Sequence, residues 1–332
     1  MTSLLIPVDA YFVDSLPTVW FGVVMFTLAM YVALDGLDFG IGILYATRDD
    51  HDKETLLSAF GPIWDANEVW LIAFGTTLLA AFPAIYSRLL SDHYLLAIAI
   101  VMGLVFRGVA PELREQRSDA AWHRLCDRLF VFGSTITPLL LGMLVGSWIF
   151  GTPVASLPSL LTGVGLVALC VISGAAFVAA KTDGRLADDM VRYGSASTAA
   201  YLGGVVVLLA VVYWLNPSNV RALLLTVPAV TVVLASVVFG LGGVLAARAG
   251  RHKLWFGSAF GLSFLLVGLV ATLLYPTIYP ATGLTIDAVV VSPLALNLTS
   301  VLGLPVLLLV LWYFKFLYST FGGPIDGEGY SA

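Results

Sequence analysis

Charge is what this chain has least of. Only 11% of its 332 residues are Asp, Glu, Lys or Arg, where a soluble domain carries about 25%. No polar stretch is long enough to fold alone, so a set of independent soluble domains is excluded. Cysteine is nearly absent too. Cys126 falls in a polar loop and Cys170 inside an apolar run, too few and too differently placed for a disulfide framework or a metal cluster. The net charge of −5 is spread thinly, and no basic block suggests nucleic acid. No Walker loop, dinucleotide fingerprint, HExxH or nucleophile elbow occurs. The opening MTSLLIPVDAYFVDSLPTVW holds no Lys or Arg and two Asp. It lacks the basic region of a secretory signal, so the first apolar run is expected to be a retained helix.

What the chain has in abundance is apolar length. It is 59% hydrophobic, with a mean hydropathy of +0.96, and runs of about 18 or more apolar residues recur from end to end. The expectation is an all-α integral membrane protein, with residues 1–332 forming a single polytopic membrane domain. Nine transmembrane helices are predicted, near 17–45, 62–84, 92–111, 129–150, 159–180, 197–215, 221–247, 254–275 and 294–318. Pro138, Pro228 and Pro305 lie inside spans, where each removes a backbone donor and is expected to kink the helix. Gly-rich pieces such as GLGGVLAARAG allow close helix contact.

Basic residues alternate from loop to loop. Arg48 and Lys53; Arg114, Arg117, Arg124 and Arg128; Lys181, Arg185 and Arg192; and Arg248, Arg251 and Lys253 follow the odd-numbered spans, twelve of the sixteen Lys and Arg residues. Only Arg88 and Arg221 lie in the opposite loops, with Arg107 and Lys315 near helix ends. The positive-inside rule puts the N-terminus outside and the C-terminus in the cytoplasm.

Acids collect at one depth. LDGLDFGIG in the first span carries Asp35 and Asp38 three residues apart, hence on one face. GPIWDANEVW, opening the second, carries Asp65 and Glu68 within one to two turns of the cytoplasmic surface, at about 1.5 Å per residue. FRGVAPELR, ending the third, adds Arg107, with Glu112 just beyond. A structural account makes Asp65 a helix-start acid favoured by the dipole, with Asp35 and Asp38 at a wet, frayed end. It leaves the like-charged pairs unexplained. Acids within spans are rare and mark ion or proton routes, and such pairs ionise together only beside a cation or with a proton retained. Asp35, Asp38, Asp65 and Glu68 are therefore the expected proton stations, Arg107 their charge partner with Asp65 or Asp38 opposite it, and Trp64 and Trp70 the walls, with Asn67 between.

His51, His93, His123 and His252 all map to loops or helix ends, so no bis-His haem site can be built in the membrane from this chain. Met25, Met30, Met102 and Met143 lie in spans and are expected to be packing residues. Any redox metal belongs to another subunit.

LDGLDFGIG, GPIWDANEVW, AAFPAIY and FRGVAPELR, in that order, followed near the C-terminus by LYPTIYPATGLTID and SPLALNLTS, resemble subunit II of the cytochrome bd quinol oxidases. From roughly 150 to 270 the likeness is of hydropathy only. The short chain also resembles the compact branch that includes the cyanide-insensitive oxidases. The resemblance implies two four-helix bundles plus one peripheral helix in a bacterial cytoplasmic (inner) membrane. It implies a heterodimer with a subunit I that holds two b-type haems and haem d, sometimes joined by a small single-helix subunit, with no haem bound by this chain alone. The complex would oxidise quinol and reduce dioxygen to water with protons from the cytoplasm, contributing to the proton motive force. It further implies that Asp65 lies on the proton route toward haem d, that Trp70 lies at the mouth of a dioxygen channel, and that Asp38 and Arg107 lie near the subunit boundary. Glu68 departs from relatives that have Gln there, as a second proton station or a paired structural group. Two other readings stand beside this one: a proton-coupled secondary transporter, whose inverted repeats are not visible here, and a purely structural subunit whose acids only lock the heterodimer.

Overall fold

Caps and prolines divide the apolar runs into helices. Asp49 accepts a hydrogen bond from the Asp52 amide at the start of one helix, Asp119 from Trp122 and Ser156 from Ser159 at the start of two others, each satisfying a donor the helix itself leaves free. The Asp52 amide and the Arg185 guanidinium hold the Asp49 carboxyl below the usual carboxylate range. The Trp122 amide and Arg117 do the same for Asp119.

The computed structural model of the chain describes residues 6–320. In order the helices are α1 (Leu16–Tyr45), α2 (Asp50–Phe60), α3 (Trp64–Ala81), α4 (Pro83–Asp92), α5 (Tyr94–Glu115), α6 (Ala120–Phe150), α7 (Leu157–Lys181), α8 (Gly184–Leu215), α9 (Arg221–Leu224), α10 (Val227–Arg248), α11 (His252–Leu274), α12 (Ile286–Val289) and α13 (Pro293–Thr320). Among the described residues the only bridge pairing outside helices joins Tyr279 and Leu284.

Eight of these helices are long and apolar enough to cross a membrane: α1, α5, α6, α7, α8, α10, α11 and α13. The remaining predicted span, 62–84, corresponds to α3, whose 18 residues open on the polar WDANE and so fall short of that set. The run then breaks at Phe82 (φ −135°, ψ 61°), just before Pro83 opens α4, because the residue before a proline is driven out of helical geometry. Two helices start well before their predicted ends. α6 begins at Ala120 rather than 129, which places Cys126 in a helix instead of a loop, and α8 begins at Gly184 rather than 197. Polar side chains of these early turns find partners on neighbouring segments, His123 on the Arg117 carbonyl, Asp127 on Lys53 and Arg114, and Asp189 on Arg48, so the helix outruns its apolar segment. Pro228 sits in the first turn of α10 and interrupts nothing, since the amide it lacks has no helical partner there. Pro138 and Pro305 are interior, as is Pro111 in α5.

α1 and α7 are central, with 67% of the apolar window of each buried, against 17% for α8 and α13. α1 packs on α3, α6, α7 and α11; α5 packs on α6, α6 on α7, α7 on α8, and α10 on α8 and α11. The α1–α7 contact depends on glycine. A Cβ on Gly174 would lie 2.5 Å from the Gly40 carbonyl carbon, and one on Gly40 would run into the Cys170 carbonyl. α13 lies against α3 and is pinned to α1 by a 2.8 Å hydrogen bond from Trp20 Nε1 to Ser300 Oγ.

Ion pairs tie the helices together at the basic end. Arg48 meets Asp189 of α8 at 2.7 Å, and Arg185 meets Asp52 of α2 at 3.1 Å. At the other end the segment after α11 folds back, with the Tyr279 hydroxyl donating to Asp92 at 2.6 Å and Trp148 Nε1 to the Ile278 carbonyl at 2.8 Å.

Candidate functional site

The C-terminal half of α1 presents Asp35 and Asp38 toward α3 and α5, where both are fully buried. Arg107, also fully buried, reaches them from α5. Its backbone is seated by a close helix crossing, since a Cβ on Gly133 of α6 would stand 2.6 Å from the Arg107 amide nitrogen. Nη1 of Arg107 lies 2.6 Å from Asp35 Oδ1 and 4.0 Å from Asp38 Oδ2, and Nη2 lies 3.2 Å from Glu68 Oε2. The guanidinium also sits 4.6 Å from the centroid of the Phe39 ring, a cation–π contact that strengthens away from water. One cation therefore faces three carboxylates. Two of these are sealed, and the third, Glu68, keeps 28% of its side chain exposed.

Asn67 bridges the cluster to the last helix. Its Nδ2 donates to Asp38 Oδ2 at 2.9 Å, and its Oδ1 accepts from the Tyr318 hydroxyl of α13, also at 2.9 Å. Charged hydrogen bonds in a dry interior are short and strong, and here they join α1, α3, α5 and α13 at one level. Asp35 Oδ2, Asp38 Oδ1 and Arg107 Nε have no hydrogen-bond partner among the described residues.

The sequence expectations divide at this site. Asp35, Asp38, Glu68, Asn67 and Arg107 come together. Asp65 does not: it is exposed, on the outward face of α3 with Val69, Ile72 and Thr76. Of the two partners expected for Arg107, Asp38 stands at 4.0 Å and Asp65 is not among them, and the closer partners are Asp35 and Glu68, because α3 is rotated to bury Asn67 and Trp70. Glu112 is exposed and stays away from Arg107, since it lies five residues further along α5 and points elsewhere. Trp64 stacks on Phe60 (centroids 5.6 Å apart, planes 7° apart) and presses on Gly108, next to Arg107. Trp70 is fully buried, edge-on to Phe26 and tilted against Phe314. It forms one wall of an apolar cleft of about 480 Å³ between α1, α3 and α13, with Trp20, Thr77, Gly303 and Val310 among the others. Sequence reasoning missed Tyr318 and Phe39. Phe39 follows Asp38 directly and was within reach of a pattern argument; Tyr318 carried no signal.

Two of the four histidines are held by the fold. Both ring nitrogens of buried His93 are engaged, with the Leu89 carbonyl at 3.0 Å and Ser147 Oγ at 2.9 Å, and His123 Nε2 is held by the Arg117 carbonyl at 2.7 Å. Among the described residues no group of three His, Cys, Asp or Glu side chains could hold a metal ion.

Long apolar helices around a sealed ionic cluster define a multi-pass membrane protein with charge chemistry confined to one level of its interior. The chain belongs to the cytochrome bd terminal oxidase subunit II family, whose model matches residues 16–321. It is similar to the cytochrome bd ubiquinol oxidase subunit 2 of Bacillus subtilis (strain 168), with 29% identity over 281 residues, covering 80% of this chain and 82% of that one. It also resembles the cytochrome bd-I ubiquinol oxidase subunit 2 of Escherichia coli (strain K12), with 28% identity over 187 residues. That match takes in 51% of this chain and only 49% of the relative, about half its length. In fold it is similar to a chain of the bd oxidase from Geobacillus thermodenitrificans. The TM-score is 0.74 at 16% identity, and the match covers 92% of this chain and 98% of that one. Family membership leaves the transporter alternative without support.

Proposed function

We propose that this chain is the haem-free subunit of a quinol:dioxygen oxidoreductase in a bacterial cytoplasmic membrane, and that it supplies proton and dioxygen access to a haem-bearing subunit I. Its nine spans, α3 included, would form two four-helix bundles with α13 peripheral, making one polytopic unit with the N-terminus outside. The observation that carries the reading is the carboxylate ladder on α3: Asp65 on the outward face, Glu68 half-way in, and Arg107 with Asp35 and Asp38 sealed behind it. An acid on an outward face that is otherwise apolar is costly against lipid, so a partner surface with polar groups is expected to cover it. Subunit I is that partner, and a small single-helix subunit, lipid and quinone complete the surroundings.

Quinol oxidation yields two electrons and two protons, and reducing one dioxygen to two waters consumes four of each. The haems of subunit I would carry the electrons and bind the dioxygen. This chain's own residues handle protons. Asp65 hands them across the interface, and Glu68 relays them or buffers the charge, because it is both ion-paired to Arg107 and partly open to the outside. One guanidinium faces three carboxylates, an excess of acid that suits a place where protons arrive and leave.

In the purified complex, Asp65→Asn is expected to keep full haem content while turnover falls roughly ten-fold or more, the scale on which a lost proton-transfer group acts. Stopped oxygen uptake against quinol concentration and pH checks it. Normal turnover at saturating quinol at every pH removes Asp65 from the route. For Trp70, the cleft it walls is apolar, as dioxygen passage requires. Trp70→Phe, which keeps the ring contacts with Phe26 and Phe314, is expected to alter KM for dioxygen and leave KM for quinol unchanged. An unchanged KM for dioxygen makes Trp70 a packing residue only.

A further inference from the structure

At the basic end of the molecule, where α1, α2 and α6 meet, a cleft of about 530 Å³ opens outward between Tyr45 and Lys53 on one side and Arg124, Arg128 and Phe132 on the other. Its charges are unevenly used. Asp127, the one acid in its lining, is already surrounded: the Tyr45 hydroxyl donates to it at 2.6 Å, Lys53 Nζ at 3.1 Å, and Arg114 Nε at 3.1 Å. Arg124 and Arg128 are different. They stand one turn apart on the same face of α6, both are exposed, and neither has an ion pair or hydrogen bond among the described residues. One turn further along, the lining changes character. Val131, Phe132 and Thr135 follow the two arginines down α6 toward the apolar level. Phe132 is 52% exposed and makes a tilted ring contact with Phe106 at 6.0 Å.

Two unpaired guanidinium groups above an outward-facing apolar floor match an amphiphile with an anionic head and acyl tails. A guanidinium fork suits the oxygens of a phosphodiester in a way an ammonium does not. The first turns of α6, which carry both arginines, also lie on the side that the positive-inside rule assigns to the leaflet where anionic lipid and basic residues meet. We propose that this cleft is a binding site for one anionic phospholipid, its phosphodiester held by Arg124 and Arg128 and an acyl chain lying along Val131 and Phe132. Asp127 would not repel it, because its charge is already neutralised by Lys53 and Arg114. The occupant would fill the step between α2 and α6 and so brace the basic end of the subunit against the bilayer. The assignment depends on the membrane placement of the chain and not on any role of Asp65.

Native mass spectrometry of the complex, extracted as it stands in the membrane, counts the phospholipids that stay bound. Titration of the delipidated complex with nanodiscs of phosphatidylglycerol or phosphatidylcholine then measures the preference. The expected result is one tightly held anionic phospholipid in the unaltered complex, absent from R124Q/R128Q, with apparent affinity for phosphatidylglycerol falling about ten-fold as two charge-assisted contacts are lost. R124K/R128K keeps the charge without the fork, so it is expected to recover part of that affinity, which separates loss of the site from loss of the fold. R248Q/R251Q, altered on a different basic loop, should bind as the unaltered complex does. Full retention of the lipid by R124Q/R128Q overturns the proposal, and this is also the outcome if carboxylates of a partner subunit occupy the cleft. Displacement of the lipid by millimolar inorganic phosphate, with equal dependence on the two arginines, overturns it in favour of a free-anion site.

Discussion

Arg107→Met is expected to cost about 3–5 kcal/mol of subunit stability, the range seen when one partner of a buried ion pair is removed. The reason is local. Asp35 and Asp38 are completely buried, and Glu68 leans on the same guanidinium at 3.2 Å, so the variant leaves three carboxylates facing each other with no cation among them. Thermal inactivation of the complex, or the yield of folded subunit after membrane extraction, checks it. Arg107→Lys should fall between, because a single ammonium cannot meet Asp35 and Glu68 through two separate nitrogens. Adding Asp35→Asn and Asp38→Asn to Arg107→Met should recover much of the loss, since the buried charges go together. If Arg107→Met is as stable as the unaltered chain, the cluster does not act as an ionic lock between α1, α3 and α5.

The second large effect is steric. Gly40→Leu is expected to prevent the folded subunit from accumulating at all, because any Cβ at that position runs into the Cys170 carbonyl of α7. Inserting a few carbons into a packed core costs roughly 1–3 kcal/mol where side chains can give way. Here the obstacle is backbone, which cannot. Gly22→Leu, on the same helix, provides the comparison: nothing lies within 4 Å of its Cβ position, and the chain should tolerate it. The measurement is the amount of membrane-extracted complex with full haem content for each variant. Equal amounts for the two would mean that α1 and α7 are not held at the separation described.

These cases show what a one-dimensional pattern carries. The runs that became α1, α5, α6, α7, α8, α10, α11 and α13 were visible as apolar lengths, because lipid demands internally satisfied backbone over a fixed thickness. The spacing of Asp35 and Asp38 predicted a shared face, and Arg107 was the one cation within reach of them. Spacing also made Asp65 and Glu68 look equivalent. They are three residues apart, about 60° around the helix, and that rotation separates an outward-facing acid from one paired to Arg107. Packing of Asn67 and Trp70 against α1 and α13 sets it, and no residue in GPIWDANEVW announces it. Glu112 failed for the same reason: nearness in sequence to Arg107 says nothing of the direction in which its side chain leaves α5. Helix ends failed where polar turns continued a helix past its apolar segment, at Ala120 and Gly184, because hydropathy marks the apolar length and not the hydrogen-bonded length.

By itself, then, the sequence determined that this is a many-helix membrane protein with acids and one arginine gathered toward one end of its first three spans, since burial in lipid and charge in lipid are both properties of composition. Only the tertiary structure decided which acid meets the arginine, that Tyr318 of the last helix closes the network through Asn67 at 2.9 Å, and which acid is left facing outward. Those are questions of helix rotation and of contacts 251 residues apart in the chain, and they are settled by how close glycine lets α1, α5, α6 and α7 approach one another.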